Sequence, residues 1–468
     1  MEFTHNPSLL IYLVIYFVLM IGIGLFYSKK IQTSEDFMLA GRGLGSVILM
    51  GTLLATWVGS GTVTGGSASI GYSYGLWPAV IFGLSNLVGV VVIYIIAPKI
   101  RESGKYTISE ALETQYGESA KVISSIIIIL AFVGVVSYQL TGLGMVMNAT
   151  TGLSVEVGTI IATVLVIFLA TTGGLMSVAP TDALSAFIII IGLIVGVPAS
   201  ISFAGGWEGI VAEVPDTRLT VLGELSFVQF LGLFLPPLFL LLGDQNMYQR
   251  LASSKGGKET RMATIGWGIG LLVVYPAISV IAFSASAIFP NIVPGQSLIA
   301  TTTILPDFIG GLMLAAITAF IITTGSSYLL SAATNITMDL YGNYIRPEAT
   351  SDQKLKFTRK IIPILGVLAY VLVQYFPTIL DAQMYAYTVY AAGITPAILA
   401  VYLWGNKVTK EAGISSMIVG VVSTLFVEFS NITSFDSAII SVPAAVLVLI
   451  FVTLFTQKKY ESDLTLKN

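Results

Sequence analysis

"GTLLATWVGSGTVTGG" spans Gly51 to Gly66 inside an otherwise membrane-like stretch, and it holds five glycines and a run of hydroxyls. A bilayer core has no water to satisfy backbone groups, so an unbroken helix is the least costly way through. Two readings of the stretch compete. Small residues let neighbouring helices approach closely, which accounts for most glycines in membrane helices. The sharper reading is that Gly59-Ser60-Gly61 breaks the helix and frees carbonyl oxygens at mid-membrane. That is tolerated only where they line a cavity or hold an ion. A nucleotide-binding loop is excluded, because no strand precedes the glycines.

The rest of the chain fixes the setting. Of its 468 residues, 55% are hydrophobic and 10% charged, whereas a soluble domain carries about 25% charged residues. The charge deficit identifies an integral membrane protein, and the long apolar segments below make it all-α. A net charge of −3, with no basic patch, gives no reason to expect a nucleic-acid partner. Without cysteine there is no disulfide framework or thiolate metal site. The single histidine, His5, sits in the N-terminal tail and excludes a histidine cluster.

A bilayer core takes about 20 apolar residues of helix. Thirteen segments qualify: 8–27, 46–72, 76–98, 121–148, 155–172, 181–204, 222–249, 262–288, 307–338, 359–377, 383–404, 412–430 and 437–457. The first lacks a basic leader and a small-residue cleavage site, so it reads as a retained helix. Basic residues follow alternate segments: Lys29, Lys30 and Arg42; Lys99, Arg101, Lys105 and Lys121; Arg250, Lys255, Lys258 and Arg261; Arg346, Lys354, Lys356, Arg359 and Lys360; Lys407 and Lys410; Lys458, Lys459 and Lys467. That places 21 of the 22 on one face, with only Arg218 opposite. One miscounted helix would scramble the alternation. Thirteen crossings of the cell membrane are therefore expected, with the N-terminus outside and the C-terminus cytoplasmic. The longest connections, 100–120, 205–221 and 339–358, are too short for a soluble domain.

A second interruption is expected in "FLGLFLPPLFLLLGDQNMYQR", Phe230 to Arg250, where Pro236 and Pro237 each remove a backbone donor. Interrupted segments early in two five-helix stretches point to an inverted-repeat transporter with its site at the midplane. The expected organisation is an extra helix and cytoplasmic loop (1–45), a first repeat (46–204), an external connection (205–221), a second repeat (222–404), and two further helices with a short tail (405–468).

"AFIITTGSSYLLSAATNITMDLY", Ala319 to Tyr341, supplies chemistry. A membrane hydroxyl usually bonds back to its own i−4 carbonyl. Thr323, Thr324, Ser326 and Ser327 lie within little more than one turn, more than back-bonding requires. Together they offer neutral oxygens suited to Na⁺, whereas Mg²⁺ or Ca²⁺ calls for more carboxylates.

At this point a resemblance becomes specific. "GGLMSVAPTDALSAF" (Gly173–Phe187), "GDQNMYQR" (Gly243–Arg250), "SAATNITMDLY" (Ser331–Tyr341) and "ATWVGSG" (Ala55–Gly61) resemble stretches of the sodium:solute symporter family. That family contains sodium/glucose, proline, sialic acid and choline transporters, and the last stretch is most like the choline branch. The resemblance runs from Leu9 to about Gln457 and implies a five-plus-five inverted-repeat (LeuT-type) core with discontinuous helices. It implies a principal Na⁺ site of the Ala55, Val58 and Phe320 carbonyls with the Thr323 and Thr324 hydroxyls. Phe320 departs from the small residue usual there, which spares a carbonyl ligand but brings bulk to the cavity. Some members hold a second Na⁺ at positions matched by Asp182, Ser326 and Ser327. A plain helix N-terminal carboxylate, favoured by the dipole, is the alternative for Asp182.

The solute positions implied are Thr56, Trp57, Ser60, Thr62, Tyr138, Gln139, Asp244, Gln245, Tyr387, Tyr390 and Thr395. Trp57 matches an aromatic that packs on the ammonium of choline, but a second tryptophan of that branch is Asp244 here. Asp244 either balances an amino-bearing solute or pairs with Arg250 as a structural gate, with the second favoured. The tyrosines 385, 387 and 390 read equally well as interfacial belt residues. Glu428 and Asp381, at membrane ends, carry no assigned role.

The resemblance thus implies a transporter, not an enzyme: Na⁺-coupled symport of a small organic solute, with two Na⁺ per solute. An amino acid, a sugar, a carboxylate and a quaternary amine all remain open as the solute. No obligate protein partner is implied beyond the lipid bilayer. A proton-coupled exchanger on the same fold and a membrane solute sensor stay open as rivals. An embedded enzyme would need a reactive cluster, and without cysteine or membrane histidine none is present.

Overall fold

The computed structural model describes residues 5–376, 378–430, 433 and 435–465. Lys467, assigned above to the cytoplasmic tail, lies outside the described residues. The described chain is helical, with one extended pairing, the Leu44–Ser254 bridge. The main helices are α1 (Leu10–Ser28), α2 (Ser46–Trp57), α3 (Gly66–Ser73), α4 (Leu76–Ser103), α5 (Glu118–Thr151), α6 (Val155–Phe203), α7 (Phe227–Gly243) and α8 (Gln245–Ala252). They continue as α9 (Gly257–Ile288), α10 (Asp307–Asn335), α11 (Ser351–Val373), α12 (Ile379–Gly393), α13 (Thr395–Leu403), α14 (Lys410–Ser430) and α15 (Ala438–Thr465). Among the described residues, nine spans are long and apolar enough to cross a membrane, or eleven when each strongly bent pair counts as one. The 49-residue α6 covers two of the segments read from the sequence. It turns at Gly174, whose φ of 48° is non-helical.

Helix ends follow local chemistry. Ser226 and Gln229 form a reciprocal capping box at the start of α7, as do Thr350 and Gln353 at α11. Gly104 and Gly152 close α4 and α5 in left-handed conformation, which costs glycine no Cβ clash. The centre of the bundle is α10 and its continuation: 83% of its most apolar window is buried, against 28% for α1 at the rim.

The opening stretch satisfies both of its readings at different glycines. Gly51 is a packing glycine, since a Cβ there would lie 2.6 Å from Ala183 Cα on α6. The break comes one residue earlier than Gly59. Val58 is extended (φ −90°, ψ 103°), and α3 leaves α2 at 50° after a wide, π-type turn over Gly61–Gly65.

The second interruption is not where the prolines predicted it. Pro236 and Pro237 both lie inside continuous α7, and the chain breaks at Asp244 (φ −68°, ψ 115°). Proline's fixed φ is itself helical, so losing two donors bends a helix without ending it. A further bend of 43° separates α12 from α13. This bend packs on the Asp244 break, where a Cβ on Gly243 would lie 2.6 Å from Thr395 Oγ1.

Candidate cation and solute site

The α2 ladder ends where the Val58 N–H donates to Leu54 at 3.2 Å. Pairing resumes where the Thr62 and Val63 N–H groups share the Gly59 carbonyl at 2.8 and 3.0 Å. Carbonyls released in between turn to α10. Thr324 Oγ1 lies 3.5, 2.9 and 3.4 Å from the Ala55, Thr56 and Val58 oxygens. Thr323 Oγ1 lies 2.7 Å from Ala55 O, 2.8 Å from Ala319 O and 3.2 Å from Phe320 O. A hydroxyl has one proton to donate, so two protons face five carbonyls, of which Ala319 and Phe320 also belong to the unbroken α10 ladder while Ala55, Thr56 and Val58 lie at the break. The surplus is oxygen lone pairs on fully buried residues. Such a donor set fits a monovalent cation. Among the described residues no group of three His, Cys, Asp or Glu could hold a metal ion. All five residues expected at the principal Na⁺ position are thus brought together, and Thr56 O joins them. Gly59 permits the approach: a Cβ there would lie 2.6 Å from Thr324 Oγ1.

Asp182, expected at a second cation position, has two unlike faces. Its Oδ2 accepts from Thr52 Oγ1 (2.5 Å), Thr56 Oγ1 (3.0 Å) and Arg250 Nη2 (3.2 Å). Arg250 Nη2 also donates to Ser327 Oγ at 2.5 Å, and its Nε donates to Thr52 Oγ1 at 2.9 Å. Both side chains of this ion pair are 1% exposed. Its geometry overturns the expected Asp244–Arg250 pair, because Arg250 pairs with Asp182 and gives its remaining donors to Thr52, Asn246 and Ser327. Asp182 Oδ1 has no hydrogen-bond partner. A void of about 20 Å³ borders Asp182, Thr181 and Ser326, room for one water-sized species. Ser326 itself bonds back to the Ile322 carbonyl at 2.8 Å, while Ser327 serves Arg250.

The solute positions divide. Asp244 caps α8 by accepting the Met247 N–H at 2.8 Å, and it accepts from the Tyr328 hydroxyl at 2.9 Å. The Tyr390 hydroxyl bridges the same break: it donates to Gly243 O (2.8 Å) and accepts from the Gln245 N–H (3.0 Å). Tyr390 and Tyr387 are buried, so neither is a belt residue. Gln245 Oε1 accepts the Ile108 N–H at 2.5 Å, and Thr395 Oγ1 donates to Phe239 O at 2.6 Å. These residues knit the second break together. Around the first break, the Ser60 N–H donates to Gln139 Oε1 at 2.7 Å, and Trp57 meets Trp267 edge-on at 6.2 Å. Thr62 is buried on the same turn. A cavity of about 400 Å³ opens at the end of the bundle that holds the 151–155 and 374–379 connections. Of the eleven solute positions only Tyr138 lines it; its wall also carries Glu156 and Asp381 and no Lys or Arg.

Thr52 and Gln383 were missed in the sequence. Their signal is geometric, since neither residue type stands out in a span. Arg250 was seen but misassigned, because a basic residue after an apolar run reads as a loop anchor.

A multi-helix membrane bundle with two broken helices, and neutral oxygens gathered where the first break meets α10, is the architecture of a secondary transporter. The chain belongs to the Sodium:solute symporter family, whose pattern it matches over residues 37–420. It is 24% identical to the sodium/glucose cotransporter of Vibrio parahaemolyticus, covering 94% of this chain and 89% of that one. It is 26% identical to the sodium/proline symporter of Staphylococcus aureus, covering 89% and 84%. Among solved structures, a substrate-bound, outward-open Na⁺-coupled sialic acid symporter superposes with a TM-score of 0.82. That match has 18% identity and covers 96% of this chain and 98% of the other. The likeness gives the fold, and membership of the family makes the chain a multi-pass membrane transporter with sodium as the family's co-transported ion.

Proposed function

We propose that this protein carries a small organic solute into the cell together with Na⁺, by alternating access across thirteen crossings. The count follows if Gly174 divides α6 into two spans and α11 also crosses. Residues 46–204 and 222–404 then form the inverted repeats, with the N-terminus outside and the C-terminus cytoplasmic. The observation that carries the reading is the excess of buried carbonyl oxygens over hydroxyl protons where α2 meets α10. Na⁺ would take the Ala55, Val58 and Phe320 carbonyls with the Thr323 and Thr324 oxygens, pinning the broken segment against α10. A carboxylate or lysine there would favour proton coupling, but the position is neutral.

A second Na⁺ would sit on the free Oδ1 face of Asp182 near Ser326 and Ser327, leaving Arg250 on the Oδ2 face. Each charge carried inward gains about 2.3 kcal/mol per 100 mV of membrane potential. The 400 Å³ cavity serves as the external vestibule. The solute would bind between the two breaks, beside Trp57, Tyr138 and Tyr387.

Proteoliposomes carrying Thr323→Ala with Thr324→Ala test the ion site. Loss of both hydroxyls should weaken apparent Na⁺ affinity by about tenfold or more, at roughly one hydrogen bond's worth each. Undiminished Na⁺-driven uptake would remove the site.

A further inference from the structure

Gln383 lies on α12 one turn from Ile379 and one turn from Tyr387, so all three share a face. It is 1% exposed. Its Oε1 accepts the N–H of Gly66, the first residue of α3, at 2.9 Å. The facing turn is shaped around this amide. A Cβ on Gly61 would come within 2.9 Å of Gln383 Cδ, and one on Gly65 within 2.6 Å of its Oε1. Thr64, Tyr138, Ile379 and Ala382 line the large cavity, whereas Gly61, Gln383 and Tyr387 do not. The amide therefore stands where the cavity ends, one turn from Tyr387, a position implied for the solute.

We propose that Gln383 is the latch that closes the external vestibule from the solute site. Its side chain ties α3 to α12 and must release Gly66 before anything in the cavity reaches Trp57 and Tyr387. A neutral amide suits the task. The N–H it surrenders can be taken over by any solute oxygen, and no buried charge is stranded when it swings away. The proposal rests on reading the cavity as the solute's route.

The chain has no cysteine, so a single introduced thiol reports access cleanly. Thr62→Cys places it on the buried turn beyond the latch, and Thr141→Cys places a control on the cavity wall. A membrane-impermeant maleimide is added from outside to right-side-out vesicles. Gln383→Ala should speed labelling at position 62 by about fivefold, the population change that loss of one hydrogen bond brings. Labelling at position 141 should not change. An unchanged rate at 62 in the Gln383→Ala background, or an equal rise at both positions, would overturn the latch. Labelling needs neither a Na⁺ gradient nor a known solute. A failure of the symport reading is thus read separately, in the uptake assay.

Discussion

At Gly59 one missing methyl group decides how closely two helices can approach. Thr324 Oγ1, Cβ and Cγ2 would all fall within 2.8 Å of a Cβ at that position. The threonine sits on the most buried helix of the bundle and cannot retreat. Gly59→Ala should therefore cost about 1–3 kcal/mol of overpacking, and it should act first on the cage by pushing Val58 O away from α10. The expected result is a Na⁺ affinity in uptake assays lowered at least as far as by Thr324→Ala. A variant with native Na⁺ dependence would show that this close approach has no part in ion binding. Thr323 and Thr324 were legible in the sequence because hydroxyls crowded on one turn of a membrane helix are scarce. Arg250 was not read correctly. A guanidinium at the end of an apolar run looks like an interface anchor until Asp182, 68 residues upstream, is found 3.2 Å from it.

Elements obey their own logic, and the two breaks show it. Glycine marked the first because a chain that must turn sharply between two half-helices gains from having no Cβ. Proline misled at the second. It signals a lost donor, but α7 continues past Pro236 and Pro237 and stops where Asp244 offers its carboxylate to the Met247 N–H. The half-helix α8 therefore depends on a side-chain cap. Asp244→Ala removes that cap, about 1 kcal/mol, and strands the buried Tyr328 hydroxyl, about 1–3 kcal/mol more. Asp244→Asn keeps an acceptor for the N–H and should lose far less. Thermal midpoints in detergent check this: the alanine variant should fall clearly below the asparagine variant. Equal losses would mean that the negative charge, and not the cap, is what the break requires. The α12–α13 bend was left unread, although Pro396 stands in the first turn of α13, where proline favours a helix start. Thr395 bonding across to Phe239 on α7 holds it in place.

For the whole molecule, the proposed cage would make sodium part of the fold. Its oxygens come from α2 on one side and α10 on the other, elements separated by about 270 residues of chain. An ion bound between them therefore opposes their separation. A ligand that binds only the folded state stabilises it by RT ln(1 + [L]/Kd), about 2.7 kcal/mol at a hundred times Kd. The thermal midpoint of the purified protein should accordingly rise as NaCl replaces KCl at constant ionic strength, with no solute present. General salt screening is the same for both cations, so the difference isolates the site. It should vanish when Thr323→Ala and Thr324→Ala are combined, and it should persist in Gln383→Ala, whose latch lies outside the cage. If NaCl and KCl gave one midpoint in the native protein, the lone pairs gathered between α2 and α10 would be serving hydrogen bonds alone, and coupling would have to reside elsewhere in the bundle.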